Sequence, residues 1–530
     1  MKETAPEGKG SPRARITAIL LVVMLCLLGT LGFYAHHVTQ EYHNLRATLS
    51  LQGRGLSKAP KTLTSGAAQG ITQASDARQR RQMLDELFPK TEQTPICARC
   101  NVVLVSVDTL RADRMSAYGY AEKTTPQMEA FFGEQGRFEW ALSSAPCTMP
   151  SVPQLLTSSF NFALPTLAEI LSHQGYRTSA LVSQSHFTID SRISHGFHRY
   201  ETQWPDEVDH HGMSTRRATA ITDRAVDWIA RHADNGGGRP FLLWLHYFDP
   251  HDPYQPPEAW RRPLAALGRH PDGDRRRAQQ ARLEAMTPQE QAQVGGKWYR
   301  VDDPFSEADR RQLSALYDAE IRYTDRELGR VFAALDASGQ AERTIVILTS
   351  DHGEWLGEQG RWDHCQTLEM TELHVPLLWK VPGFTFAGRQ RMASTLDIVP
   401  TVLHLLGDTS QVRSRFAGQS LVVPPSSDQE PRAVVSSWND QLAATSRRWR
   451  LVFNYTNLKW LPARLERATD PTRPGGQPAE GSFREVPMEQ HADVMEQLEQ
   501  VVGETPTLGI DTFGINRETL EQLRELGYIH

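Results

Sequence analysis

Cys147 and Thr148 stand side by side in SSAPCTMPSVPQLLTS, residues 143–158, and each carries an atom able to attack an ester. Other reactive side chains gather where apolar runs end. NVVLVSV is followed by Asp108, TIVILTS by Asp351 and His352, and FLLWLH ends in His246, with Asp249, His251 and Tyr254 in the loop beyond it. A lone Asp after a strand commonly caps the next helix, and a strand-end His is often only a satisfied core imidazole. Two strand-terminal carboxylates together with an imidazole suit a divalent ion, and Mn, Mg, Zn and Ca all accept such donors.

The elements that must position these groups are readable from hydrophobic pattern. The runs at 101–107, 178–183, 241–246, 344–350 and 375–380 are continuously apolar and β-branched, and helical patterns such as RATAITDRAVDWIARHA and LDIVPTVLHLLG separate them. This alternation predicts an α/β fold: a mostly parallel sheet covered by helices on both faces, with ligands bound beyond the carboxyl ends of the strands. An Arg/Gln-rich insertion between Pro256 and Phe305 reads as surface helix and loop. After Gly407 the alternation stops, and RAVVSSW and RRWRLVFNY read as antiparallel strands of a small C-terminal α+β subdomain. The catalytic domain is expected over 101–410, the subdomain over 411–530, and RETLEQLRELGYIH as a closing helix.

The net charge of −6, with both signs intermixed, argues against a nucleic-acid partner. Residues 16–35, ITAILLVVMLCLLGTLGFYA, are uncharged and long enough as a helix to cross a bilayer. Lys9, Arg13 and Arg15 precede them. The positive-inside rule therefore keeps the tail 1–15 in the cytoplasm, makes 36–100 a stalk, and carries the catalytic domain across the membrane as part of a single-pass protein. Beyond the span lie four cysteines, Cys97, Cys100, Cys147 and Cys365, in a compartment that permits disulfides.

The segments NVVLVSVDTLRADRMSAYGY, APCTMPSVPQLLTS, FLLWLHYFDPHDPYQPP, ILTSDHGEWLGEQGRWDH and STLDIVPTVLHLLG occur in this order from about residue 100. Together they closely resemble the sulfatase family of the alkaline phosphatase superfamily, and the tail LEQLRELGY is similar to that of bacterial members, which implies a periplasmic domain. The resemblance implies an alkaline-phosphatase-like fold and a divalent ion held by Asp108, Thr148, Asp351 and His352. It implies substrate or leaving-group roles for His251 and His364, with His246 as a further catalytic candidate, and substrate binding by Arg111 and Tyr254. Arg111 also reads as a structural ion-pair partner.

Sulfatases carry a Cys-x-Pro-x-Arg motif whose Cys becomes formylglycine. Aligned on Pro150, the nucleophile slot here is Thr148; Cys147 falls one place early, Val152 occupies the arginine position, and Thr109 replaces a second acid after Asp108. Formylglycine hydrate has two hydroxyls, so one can attack sulfur while the other later expels sulfate. Threonine has one, which favours phosphate or phosphonate esters over sulfate esters, because phosphorus accepts a second in-line attack. The implied enzyme is a membrane-anchored hydrolase or transferase acting on an anionic ester, an envelope lipid or glycan among the candidates. The alternative is a catalytically degenerate scaffold with the same fold. If Thr148 and His364 line one pocket, Cys147 can pair with Cys365 and Cys97 with Cys100; otherwise these are buried thiols. The membrane-bound mature protein is expected to keep its N-terminus, and N-terminal sequencing that finds a soluble chain starting after about residue 36 would overturn the anchor.

Overall fold

A strand alternates its side chains between two faces, and Asn101–Val107 (β1) is apolar on both. Val102 and Leu104 enter one buried layer while Val103, Val105 and Val107 enter another, so both faces of β1 are covered. The computed structural model describes residues 84–86, 88, 95–161, 164–184, 187, 192–202, 216–234, 238–261, 306–408, 416–424, 432–456, 459–469 and 483–505. The tail 1–15, the apolar segment 16–35, most of 36–100, residues 262–300 of the insertion and the closing segment 517–530 lie outside them. Among the described residues no helix is long and apolar enough to cross a membrane.

After β1 the chain forms α1 (Pro126–Phe132), β2 (Trp140–Leu142), α2 (Thr148–Thr157), α3 (Leu167–His173), β3 (Arg177–Val182), β4 (Arg199–Glu201) and α4 (Ala218–Asp234). It continues through β5 (Phe241–Tyr247), the long α5 (Glu307–Ala337), β6 (Thr344–Ser350), β7 (Trp355–Leu356), β8 (Trp362–Asp363), β9 (Leu377–Lys380), β10 (Met392–Ser394) and α6 (Ile398–Leu405). The main sheet has the order β4-β3-β5-β1-β6-β9. Its strands run parallel except β9, which closes one edge antiparallel to β6.

Helices α2, α3 and α6 pack on one face through Val152, Leu155, Ile170, Val399 and Val402, and α1, α4 and α5 pack on the other through Phe132, Ile221, Trp228, Leu316 and Val331. This is the expected α/β sandwich. Leu84 and Phe88 are also buried in the first layer, so the packed unit begins before Asn101.

The register decides where the chemistry emerges. Val107 at the end of β1 lies opposite Ser350 of β6 on one side and Tyr247 of β5 on the other. Asp108, Asp351 and the loop after Tyr247 therefore leave the sheet at one level, at the carboxyl edge where open α/β sheets bind ligands.

The chain closes with an antiparallel sheet of β11 (Val434–Trp438), β12 (Gln441–Thr445), β13 (Trp449–Thr456), β14 (Lys459–Ala468) and β15 (Phe483–Val486), covered by α7 (Ala492–Glu504). This sheet props up the catalytic edge. The Ser437 N–H donates to Ser144 O at 2.8 Å and the Ser436 hydroxyl to Ser143 O at 2.6 Å, just before the Cys147–Thr148 pair. Arg450, on β13, is buried. Its guanidinium donates to Leu368 O at 2.9 Å and to Glu369 Oε2 at 2.8 Å, and it also pairs with Glu466. Removing one member of a buried charged network leaves the others desolvated and uncompensated. Arg450→Ala should therefore lower unfolding stability by about 3–5 kcal/mol, read as a shift in the urea midpoint of the purified protein.

Candidate active site

At the carboxyl edge, Asp108, Asp351 and His352 converge, with one ligand atom from each within 4.8 Å of the others. His352 Nε2 lies 3.7 Å from Asp108 Oδ1 and 3.5 Å from Asp351 Oδ2. Each carboxylate spends one oxygen on the protein: Gln184 Nε2 donates to Asp108 Oδ2, and the backbone N–H groups of His352 and Thr109 donate to Asp351 Oδ1 at 2.9 and 3.3 Å. Among the described residues, Asp108 Oδ1 and Asp351 Oδ2 are buried without a donor. Burial, and then the neighbouring Asp351, push the Asp108 carboxyl well above the usual carboxylate range. His352 Nδ1 faces Gly353 O at 2.9 Å, which puts a proton on Nδ1 and leaves the Nε2 lone pair facing the carboxylates. Burial holds this imidazole neutral, with its pKa down at about 4. Gly353 is required at its position because a Cβ there would sit 2.2 Å from Thr371 O.

Thr148 is the first residue of α2, at the positive end of the helix dipole, and its Oγ1 lies 2.9 Å from His352 Nε2. Cys147 precedes the helix and is disulfide-bonded to Cys365 with a Cα separation of 4.6 Å. A second bridge joins Cys97 to Cys100 with Cα atoms 5.5 Å apart. Both expected pairings of Cys97, Cys100, Cys147 and Cys365 are present, well inside the reach of about 7 Å that a bridge allows.

Beside the first cluster stands another, Glu354, Asp363 and His364. His364 Nδ1 lies 2.7 Å from Asp363 Oδ1 and 3.3 Å from Glu354 Oε2. Burial acts to lower the pKa of this imidazole, but Asp363 and Glu354 outweigh burial and raise it well above the ordinary value, so it is an imidazolium. Its ring centroid is 4.8 Å from that of His251 and 4.6 Å from that of His352. Burial and the adjacent His364 hold His251 well below the ordinary value. Its Nδ1 faces Asp252 O, so the neutral ring presents the Nε2 lone pair.

The other expected site residues sit one step back. The Tyr254 hydroxyl donates to Glu354, so it steadies a partner of His364. His246 lies inside β5. Its Nδ1 is 2.8 Å from Ser106 Oγ, which accepts from Trp244 Nε1–H at 2.9 Å, and its Nε2 is 4.0 Å from Asp108 Oδ2. Arg111 does not open onto the site: its guanidinium is buried and donates to Asp113 at 2.9 and 2.8 Å, to Glu354 O at 2.9 Å and to Glu358 at 2.7 Å. Of its two readings, substrate binder and ion-pair partner, these contacts supply only the second. Sequence reasoning missed Gln184, Glu354 and Asp363. The strand-end rule applied to TSALVS would have reached Gln184, because that residue follows β3 by two places. Glu354 and Asp363 carry no spacing signal and are recruited by the β7–β8 hairpin.

The sulfatase family model matches residues 100–408, more than half of the chain. The chain belongs to the sulfatase family. It is 25% identical over 370 residues to choline-sulfatase of Rhizobium meliloti (strain 1021), covering 61% of this chain and 70% of that one. It is 30% identical over 206 residues to the multifunctional alkaline phosphatase superfamily protein PehA of Trinickia caryophylli, where the match covers 36% of this chain and only 38% of the relative. Among solved structures, the phosphonate monoester hydrolase of Agrobacterium radiobacter shares the fold with a TM-score of 0.55 at 18% identity, covering 77% of this chain and 98% of that one. A protein in complex with its substrate D-glucosamine-2-N,6-O-disulfate gives 0.56 at 18% identity, with the same coverage.

The sulfatase-family site fits a divalent ion, because two buried carboxylate oxygens without donors and an imidazole lone pair converge on one point. Asp108→Asn and Asp351→Asn should each lose stoichiometric divalent metal by elemental analysis. In chelator-stripped protein the raised Asp108 carboxyl binds a proton that the unfolded chain, with a pKa of about 3.9, has released. Its contribution to stability is then lost as pH rises through the raised value, so the stripped protein should melt lower at high pH and metal should restore the difference.

Proposed function

We propose that this sulfatase-family protein is a metal-dependent hydrolase or transferase of phosphate or phosphonate esters, with Thr148 as nucleophile. The observation that carries the reading is the pair at the N-terminus of α2: Thr148 Oγ1 lies 2.9 Å from His352 Nε2, while the neighbouring sulfur of Cys147 is consumed in a disulfide. Asp108, Asp351, His352 and Thr148 would hold the ion. Two carboxylates, an imidazole and a hydroxyl oxygen make a four-donor set that suits Zn over the higher coordination numbers Ca takes. When bound, the ion supplies positive charge that acidifies a coordinated hydroxyl and neutralises phosphoryl oxygens.

The chain's own groups divide the remaining work. The Thr148 hydroxyl, acidified when the ion is bound, gives up its proton to solvent, and its oxygen attacks phosphorus; the ester oxygen leaves, taking a proton from the His364 imidazolium, whose charge Asp363 and Glu354 sustain. The neutral His251 accepts a proton from the water or alcohol that next attacks the phosphothreonine, Thr148 is released as its oxyanion, and the proton on His251 passes back to His364 to restore the starting state. Threonine lacks the second hydroxyl that a sulfate ester needs for release without renewed attack at sulfur, so phosphorus is the favoured centre. Val152, in the family's arginine position, is buried in the core and offers no anion contact. Anchored by residues 16–35 outside the cytoplasm, the domain would meet anionic esters of envelope lipids or glycans.

Thr148→Ala should abolish turnover of aryl phosphate and phosphonate esters, by about 10³-fold or more, with metal content kept. Thr148→Ser should retain part of the activity. Mass spectrometry after quenching with a slow phosphoester should find phosphate on Thr148 and no formylglycine at Cys147. Full activity in Thr148→Ala would sink the reading. Absence of both bound metal and turnover would favour a scaffold instead.

A further inference from the structure

The metal ligands and the acid–base histidines are held by different means. Asp108, Asp351 and His352 follow directly from the two central strands β1 and β6, whose ladder fixes them. His364 has no such frame. It sits just after the two-residue strand β8, between two residues forced into the left-handed region without being glycine: Asp363 at φ 70° and Cys365 at φ 61°. Side chains disfavour that conformation, so it persists only where the surroundings over-determine it. The surroundings here are specific. Cys365 is bonded through sulfur to Cys147, and the Cys365 N–H donates to Pro146 O at 2.9 Å, so two successive residues before Thr148 grip the residue after His364. Downstream, Glu372 accepts from the backbone N–H groups of Gln366 and Thr367 at 2.9 and 2.8 Å.

We propose that the Cys147–Cys365 disulfide is a positioning device: it clamps the strained 363–365 turn to the nucleophile's own helix and so fixes His364 relative to Thr148. The proposal rests on the roles given above to Thr148 and His364, and it goes beyond them by assigning a catalytic consequence to two residues that touch no reacting atom. The clamp joins residues 218 positions apart in the chain, so it ties the turn to the nucleophile's helix, which the local bonds from Gln366 Nε2 to Trp362 O and from the His364 N–H to Asp363 Oδ1 do not do. The bridge Cys97–Cys100 closes only a three-residue separation away from both catalytic loops and provides the matched control.

The test compares Cys147→Ser/Cys365→Ser with Cys97→Ser/Cys100→Ser in the full-length, zinc-loaded protein, with 4-nitrophenyl phenylphosphonate as substrate. Loss of the clamp should lower kcat by about tenfold to a hundredfold, the scale of a misplaced catalytic group, with metal content unchanged and KM within a few-fold. In the His364→Ala background the same double substitution should change kcat less than about twofold, because the group it positions is already gone. Independently of activity, hydrogen exchange of the peptide spanning 362–368 should accelerate at least tenfold while 101–108 and 344–351 stay protected. The control pair should change none of these.

Equal losses in the presence and absence of His364, or unchanged exchange over 362–368, would overturn the clamp. If the wild type turns over no ester, the proposed reaction fails while the exchange measurement still judges the clamp. Should the double variant not fold, a phosphine can reduce the folded wild type. The disulfide takes up two electrons and two protons as the phosphine becomes its oxide with oxygen from water, and the same exchange change is expected.

Discussion

Two carboxylates facing each other in a dry interior repel, and each also loses the water that would stabilise its charge. Asp108 and Asp351 are in that position because β1 and β6 are adjacent, parallel and in register, and both strands end there. A cation at their meeting point relieves both costs at once. Among the described residues no side-chain donor meets that point: one oxygen of each carboxylate is satisfied by neutral donors, and the other is left facing its counterpart and His352 Nε2. The local fold of the site brings a third oxygen, that of Thr148, to 2.9 Å from His352 Nε2.

The neighbouring cluster carries its own cation. Glu354 and Asp363 do not face a bare partner, because His364 lies between them and stays protonated. Burial raises the Glu354 carboxyl to about 7, and its hydrogen bond from Tyr254 fixes which oxygen faces the histidine. His251, against the same ring, is neutral largely because it is buried. One imidazolium and one neutral imidazole thus lie a ring-width apart, the separation of protonation states that acid and base roles require.

The antiparallel C-terminal sheet is coupled to this site through backbone contacts. Ser436 and Ser437 on β11 hold the chain at Ser143–Ser144, and Arg450 on β13 holds Leu368 and Glu369. The first contact precedes Thr148 and the second follows His364. Both loops joined by the Cys147–Cys365 bridge are therefore also gripped from below by one sheet, which ties the appended strands to catalysis without their contributing a reacting group.

The sequence by itself determined the sheet, its covered faces, the strand-end residues Asp108, Asp351 and His352, and His251 in the loop beyond a strand, because continuous apolar runs and the polar residues that follow them are local signals. By register with Pro150, the family resemblance puts Thr148 in the implied nucleophile slot and Cys147 one place early. Tertiary structure decided the rest. Arg111 lies in the same stretch as Asp108, yet long-range partners, Glu354 O and Glu358, turn its guanidinium into a structural tie. Glu354 and Asp363 enter the site through a hairpin of two-residue strands whose spacing announces nothing, and Gln184 enters two places beyond the end of β3. Their roles depend on which oxygen meets which nitrogen across the fold, and hydrophobic periodicity is blind to such contacts because it records burial and not direction.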